Sequence, residues 1–409
     1  TQGSVIEDRW RDKHVKDSLD LCLACKGCKS DCPVGVDVAS YKSEFLSHFY
    51  EGQVRPRSAY AFGNIDLWAR FASDVPGVVN LATQLPVVRD ISKMIVGMPL
   101  QRSIPAFAPQ TFRNWFRKRS AQNKSGATVM LWPDTFNNYF LPDTAKAAVQ
   151  VLEAAGFQVR LPGASLCCGR PLYDWGMLDR AKQLLRQTLD VLELEIEHNI
   201  PVVVLEPSCA SVFRDELLNL FPHDDRARAL SQHTFLLSEF LERKAGHFSL
   251  PHLEGRAIVH GHCHHKSILR MNDEESVLRK MGLDFRMPAP GCCGMAGAFG
   301  FEWDKYKTSI AIGELELLPA IREAPPDSLI IADGFSCREQ IAQCTNRRAL
   351  HLAEVIQMGM NHELAFEAYP ERARTERMKA EVDRTMIRAG FGLAAAAAAG
   401  ALIWTLARR

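Results

Sequence analysis

The hydrophobic pattern of the chain changes period near residue 127. Before that point apolar residues recur every three or four positions, as in VASYKSEFLSHFYEG, and this predicts helices across residues 1–110 with a glycine stop at Gly52. Pro105, Pro109 and the basic run TFRNWFRKRSAQNKSG interrupt the period and predict a linker over 111–126. Beyond it, short apolar runs alternate with helical segments: strand ATVMLW, helix DTAKAAVQVLEAAGF, strand QVRL, a Cys-Cys-Gly turn, a long helix, then strand VVVLE. Such alternation predicts an α/β fold with mostly parallel sheets.

The same order returns after residue 255: AIVH, a helix with KSILR and ESVLRKM, DFRM, a second Cys-Cys-Gly, a helix, then SLIIADG. Cys168 and Cys209 are 41 positions apart, and Cys293 and Cys337 are 44 apart. An internal duplication is therefore expected, with copies at 127–250 and 251–358. Residues 359–409 read as a helical tail. Within it Ala389 to Ala407 carries no charge and is flanked by Arg384, Arg388, Arg408 and Arg409. At 1.5 Å per residue this segment reaches about 28 Å, so it either anchors in a membrane or packs as a terminal helix.

Composition adds little direction: 409 residues, 47% hydrophobic and 24% charged, is ordinary for a chain of two or three domains. The formal net charge of +1 gives no global field for nucleic acid, and Arg117, Lys118, Arg119 and Lys124 read as a solvated stretch of the linker. Twelve cysteines without a secretory leader, grouped rather than scattered, imply reduced thiols on the cytoplasmic side. An anchored tail would place the chain at the inner face of the cell membrane. Residue 1 is Thr, which fits a fragment, a processed product or part of a longer polypeptide.

Candidate chemistry is concentrated in the cysteines. Cys22, Cys25, Cys28 and Cys32, followed by Pro33, make the C-x2-C-x2-C-x3-C-P run of bacterial ferredoxins, which predicts a 4Fe-4S cluster. Zinc knuckles are instead usually paired across a longer gap. Cys32 either closes this cluster or serves a more distant one, because the cysteine before the proline does so in two-cluster ferredoxins. In each copy of the duplicated region, cysteines fall where a strand hands over to a helix, the ligand-binding edge of an open α/β sheet. Adjacent cysteines are awkward as a disulfide, but on a glycine-relaxed turn both can face a metal, so Cys263, Cys292, Cys293 and Cys337 form a second predicted ligand set.

CCGRP at 167–171, PSC at 207–209, HGHCH at 260–264, GCCGMAG at 291–297 and the Ser336-Cys337 pair resemble the cysteine-rich CCG domain of heterodisulfide reductase, glycerol-3-phosphate dehydrogenase and glycolate oxidase iron-sulfur subunits. With CLACKGCKSDCPVGVDVASYKSEFLSHFYEG, the chain is most similar to the iron-sulfur half of bacterial FAD-linked D-2-hydroxyacid dehydrogenases of the D-2-hydroxyglutarate and D-lactate types. The resemblance implies a helical ferredoxin-like domain followed by a duplicated α/β CCG domain. It also implies FAD on a partner domain or subunit, and electron flow to quinone or another acceptor. Its alternative implication is disulfide reduction at a CCG-bound cluster.

The chain departs from that pattern in places. Thr135 stands where the family often has a cysteine, so Cys167, Cys168 and Cys209 make a short set that lends a ligand to the second copy or does thiol chemistry. Cys344 lies seven positions after Cys337 instead of three. Among His260, His262, His264 and His265, the pair His262 and His264 is singled out for orienting sulfurs or carrying protons, with two or three of the four expected to be structural or exposed. Asp333 and Glu302 are expected to be surface charges.

Overall fold

The computed structural model describes residues 8–407 apart from 121, 290 and 363–367; Arg408 and Arg409 of the predicted tail lie outside the described residues. The fold is α/β. Strands β1 (Thr128–Trp132), β2 (Gln158–Arg160), β3 (Val202–Val204) and β4 (Thr234–Leu236) form one parallel sheet in the order β2-β1-β3-β4. Strands β5 (Gly255–Val259), β6 (Leu283–Arg286) and β7 (Leu329–Ile331) form a second, in the order β6-β5-β7. Leu350 bridges Ile331 in parallel, in the place β4 occupies beside β3, so the two sheets repeat one plan. Strands such as β3 and β7 are wholly buried and read as unbroken apolar runs because helices cover both faces. β4 is the strand absent from the sequence expectation: three residues running straight into a helix leave no turn signal.

The copies share a core. Helix Pro142–Ala154 of the first packs on helix Leu352–Met360 of the second, and helix Leu237–Lys244 of the first packs on helix Asn272–Lys280 of the second. Val129, Leu131 and Val203 from one sheet belong to the same buried cluster as Ala257, Val259 and Ile331 from the other. The basic segment after Pro109 is not a bare linker. It contains helix Phe112–Lys118, capped by the Thr111 hydroxyl, and Phe112 is fully buried in the shared core. Arg119 is not free in solvent either: it lies over the Trp115 and Phe116 rings and pairs with Glu153.

The N-terminal region is helical, from Lys13–Asp20, capped by the Asp12 carboxylate, to Pro86–Val96, which ends on Gly97 in the left-handed conformation. One long helix, Arg372–Ala407, returns to it and packs against Pro76–Gln84. A β-carbon at Gly77 would lie 2.6 Å from the Thr385 carbonyl oxygen, so only glycine permits this approach. Among the described residues no helix is long and apolar enough to cross a membrane.

Candidate metal centres

The ferredoxin-type loop is wedged against the CCG region. Ala24 and Lys26 both adopt positive φ, 50° and 59°, and turn the backbone around the thiols. Cys22 senses Cys25 and Cys28, and Cys25 senses Cys28; burial, then these neighbours, pushes the first two thiols up from their ordinary range. Cys32 is set apart. Backbone amides of Val36 and Val34 hold its thiol below the usual range, and no other thiol contributes to its shift.

What fixes the loop is a buried ion cluster. The Lys26 ammonium, fully enclosed, reaches Asp37 at 3.0 Å, Asp215 at 2.5 Å and Glu216 at 3.1 Å. Burial opposes its charge, but Glu216 and Asp215 overcome this and keep it protonated well above the ordinary lysine range. Arg170, next after the first Cys-Cys-Gly, pairs with Glu216 and Asp174 and donates to the Ala24 carbonyl at 2.9 Å. His264, next after Cys263, donates to the same carbonyl from Nε2 at 2.9 Å. Sequence reasoning missed Lys26 and Arg170, whose partners are far along the chain.

In the second copy the parallel strands bring the four predicted cysteines together. Cys263 lies near enough to Cys292, Cys292 to Cys293 and Cys293 to Cys337 for each thiol to shift its neighbour's titration. Cys293 and Cys337 are buried, and with His260 they place three potential donor atoms within 4.8 Å of one another. Neighbouring thiols and burial hold Cys263 and Cys293 well above their usual range and raise Cys337 as well, a set that only a bound cation would make thiolate. Gly294, at φ 87°, has the Ser309 carbonyl 2.0 Å from where a β-carbon would sit, which explains the glycine of the turn. Cys344 stands outside the set and receives a hydrogen bond from Arg102 at 3.7 Å.

The first copy repeats the arrangement with fewer thiols. Cys168 and Cys209 have their sulfurs 2.9 Å apart, and Cys167 is 4.0 Å from the Thr135 hydroxyl that stands in the position of Cys263. Although the Cys168 hydrogen bond favours its thiolate, burial and the charges of Asp134 and Glu206 push Cys209 up to about 12. The ferredoxin-type loop touches the second copy where His264 donates to the Ala24 carbonyl at 2.9 Å, and the nearby Cys263 contributes to raising the Cys25 thiol.

All four clustered histidines are buried, and burial pushes His260 and His262 down to about 3, so they take the structural alternative and not the exposed one. The expectation for Asp333 and Glu302 needs correction. Asp333 is likewise buried, and accepts from the Leu352 amide at 2.9 Å at the start of helix Leu352–Met360. Glu302 is half-buried and paired with Lys305 at 2.8 Å.

Thiol sets at the strand ends of a duplicated parallel fold define a metal-binding, cysteine-rich oxidoreductase component. The cysteine-rich CCG domain model matches residues 135–214. The chain is 30% identical over 298 residues to a subunit of the anaerobic glycerol-3-phosphate dehydrogenase of Escherichia coli K12, covering 71% of this chain and 74% of that one. The chain belongs to this family of cysteine-rich CCG proteins. It is also 26% identical over 357 residues to the D-2-hydroxyglutarate dehydrogenase of the same organism, of which it spans 34% of the length. To lactate utilization protein A 2 of Bacillus cereus AH820 it is 26% identical over 247 residues, 57% of this chain and 99% of that protein.

Proposed function

We propose that the chain is the electron-transfer module of an FAD-linked oxidoreductase. A flavin-binding partner domain or subunit oxidises a D-2-hydroxyacid, D-2-hydroxyglutarate or D-lactate, and electrons leave singly through this chain to quinone or another acceptor. A 4Fe-4S cluster supplies one-electron redox chemistry at each centre. Cys22, Cys25 and Cys28, with Cys32 or a ligand from elsewhere, hold the first; Cys263, Cys292, Cys293 and Cys337 hold the second. The observation that carries this reading is the 2.9 Å hydrogen bond from His264, next to Cys263, to the carbonyl of Ala24, next to Cys25, which brings one thiol group up to the other. Lys26, Arg170 and His264 hold that juncture and exclude water from it.

A route toward quinone is supported by an apolar face on the N-terminal helices. Trp68, Phe71, Val87, Ile91 and Ile95 are all exposed there, and the returning tail helix adds exposed Phe391. Apolar surface of this extent marks an interaction site, and we assign it to the inner surface of the cell membrane.

The test is anaerobic mixing of the full chain with its flavin partner and substrate, followed by electron paramagnetic resonance. Reduction of cluster signals on a turnover timescale is expected. A reduced flavin beside clusters that stay oxidised overturns the proposal.

A further inference from the structure

A second donor group lies behind the thiols of the second copy. His265, Glu274 and Asp333 are buried to 1%, 1% and 5% exposure, and one potential ligand atom from each lies within 4.8 Å of the others. His265 opens the π-helical turn His265–Leu269, two residues after Cys263. Glu274 comes from helix Asn272–Lys280, and Asp333 from the end of β7.

The group is short of positive charge. Among the described residues neither carboxyl is ion-paired with lysine or arginine; Glu274 has His265 at 3.3 Å, and Asp333 has His351 at 3.5 Å and the Leu352 amide at 2.9 Å. The first copy solves the same problem with a side chain. There Asn137 holds the place of His265, two residues after Thr135, and Arg338 from the other copy donates to Asn137 at 3.1 Å and to Thr144 at 2.9 Å. Arg214, which the first copy contributes near His265, turns to Glu239 at 2.7 Å instead. Two buried carboxyls without a cation are costly, and a dication would compensate both.

Geometry favours a metal over a simple ion pair. Glu274 Oε2 is enclosed without a hydrogen-bond partner, although His265 Nδ1 lies 3.3 Å away. The 3.3 Å between His265 Nδ1 and Glu274 Oε2 is close to the separation of about 3.3 Å between two ligands of a tetrahedral zinc with bonds of about 2.0 Å. One imidazole and two carboxylates suit a borderline first-row dication and not an iron-sulfur cluster.

We propose that His265, Glu274 and Asp333 bind a divalent first-row cation of the zinc type, separate from the thiol sets, which pins the π-helical turn next to Cys263. The experiment loads the full chain, purified anaerobically with its clusters, with Zn2+ and removes excess by gel filtration, measuring zinc, iron and sulfide together. Stoichiometric zinc is expected in the wild type, with loss of at least tenfold in Glu274→Gln and in Asp333→Asn at unchanged iron and sulfide. An anomalous peak at the zinc edge between the three side chains is expected in crystals. Wild-type protein that retains no zinc overturns the proposal and leaves a proton shared by the two carboxyls. Zinc retained by folded Glu274→Gln also overturns it, because the metal would then sit on cysteines. Iron loss in the wild type would count against the proposed function instead, so the two failures are distinguishable.

Discussion

Arg170 and His264 meet on one acceptor, each with a nitrogen 2.9 Å from the carbonyl oxygen of Ala24. One comes from the first copy of the duplicated region and the other from the second, so the loop between Cys22 and Cys25 is held by both. That geometry makes the ferredoxin-type segment part of the CCG structure and not a tethered appendage. Lys26 reinforces it from the other side of the peptide, with Asp215 and Glu216 contributed from far along the chain.

Replacing Lys26 by Met should therefore cost about 3–5 kcal/mol, because Asp215, Glu216 and Asp37 would keep buried charge with less compensation. Chemical denaturation measures the loss, and hydrogen exchange should show it first in residues 22–37. A change below about 1 kcal/mol would mean that Lys29 and Arg170 already suffice.

The sequence made the thiols legible and the charges around them illegible, for a physical reason. Ligand spacing is local, so Cys22, Cys25 and Cys28 announce themselves within seven residues, and strands buried on both faces read as apolar runs. Lys26 and Asp215 are 189 positions apart, and no periodicity marks either as buried. Asp333 resembled a surface acid until the fold placed it under the Leu352 amide. Phe112 was hidden by the arginines around it, whose charge suggested a solvated linker while the ring filled the shared core.

Cys293→Ser should remove iron from the second copy while preserving the spectrum of the N-terminal centre. Cys293 is buried with a donor atom within 4.8 Å of those of Cys337 and His260, and both Cys292 and Cys337 shift its thiol, so it sits at the heart of the set. Iron and sulfide analysis alongside low-temperature resonance spectra separates the centres, and an unchanged iron content would refute the assignment.

Burial, then the charge of Glu206, raises Asp134 to about 6. A folded-state value above the unfolded one means that the native protein binds the proton more tightly. The resulting stabilisation is full below pH 4 and is lost as pH rises through about 6, up to roughly 3 kcal/mol over that window. Asp134→Asn should flatten the dependence, so stability curves of variant and wild type should converge or cross above pH 6. Parallel curves from pH 4 to 7 would show that Asp134 titrates normally.

Deletion after Glu381 removes the exposed Ile387, Phe391 and Leu393 together with the contacts of Thr385 and Ala389 at Gly77. Vesicles containing anionic lipid should bind the full chain and release the truncated one, since Arg384 and Arg388 leave with the apolar residues. Equal flotation of both forms would move the membrane contact to the face around Phe71 and Ile91.

Thr135→Cys tests what the first copy lacks. The threonine hydroxyl sits 4.0 Å from the Cys167 sulfur and 3.2 Å from Asp66, in the position that Cys263 holds in the second copy. A thiol there would complete a set with Cys167, Cys168 and Cys209, of which Cys168 and Cys209 already have their sulfurs 2.9 Å apart. The change is close to isosteric and forfeits one hydrogen bond, a cost of about 1 kcal/mol. Anaerobic reconstitution should then raise the iron and sulfide content of the folded chain above that of the wild type, with a new signal that disappears in Thr135→Cys combined with Cys209→Ser. Thr135→Ser, which keeps the hydroxyl, should gain nothing. If Thr135→Cys folds normally and takes up no additional iron, the two copies differ by more than one ligand, and the carboxyls of Asp134 and Glu206 beside Cys209 become the obstacle to test next.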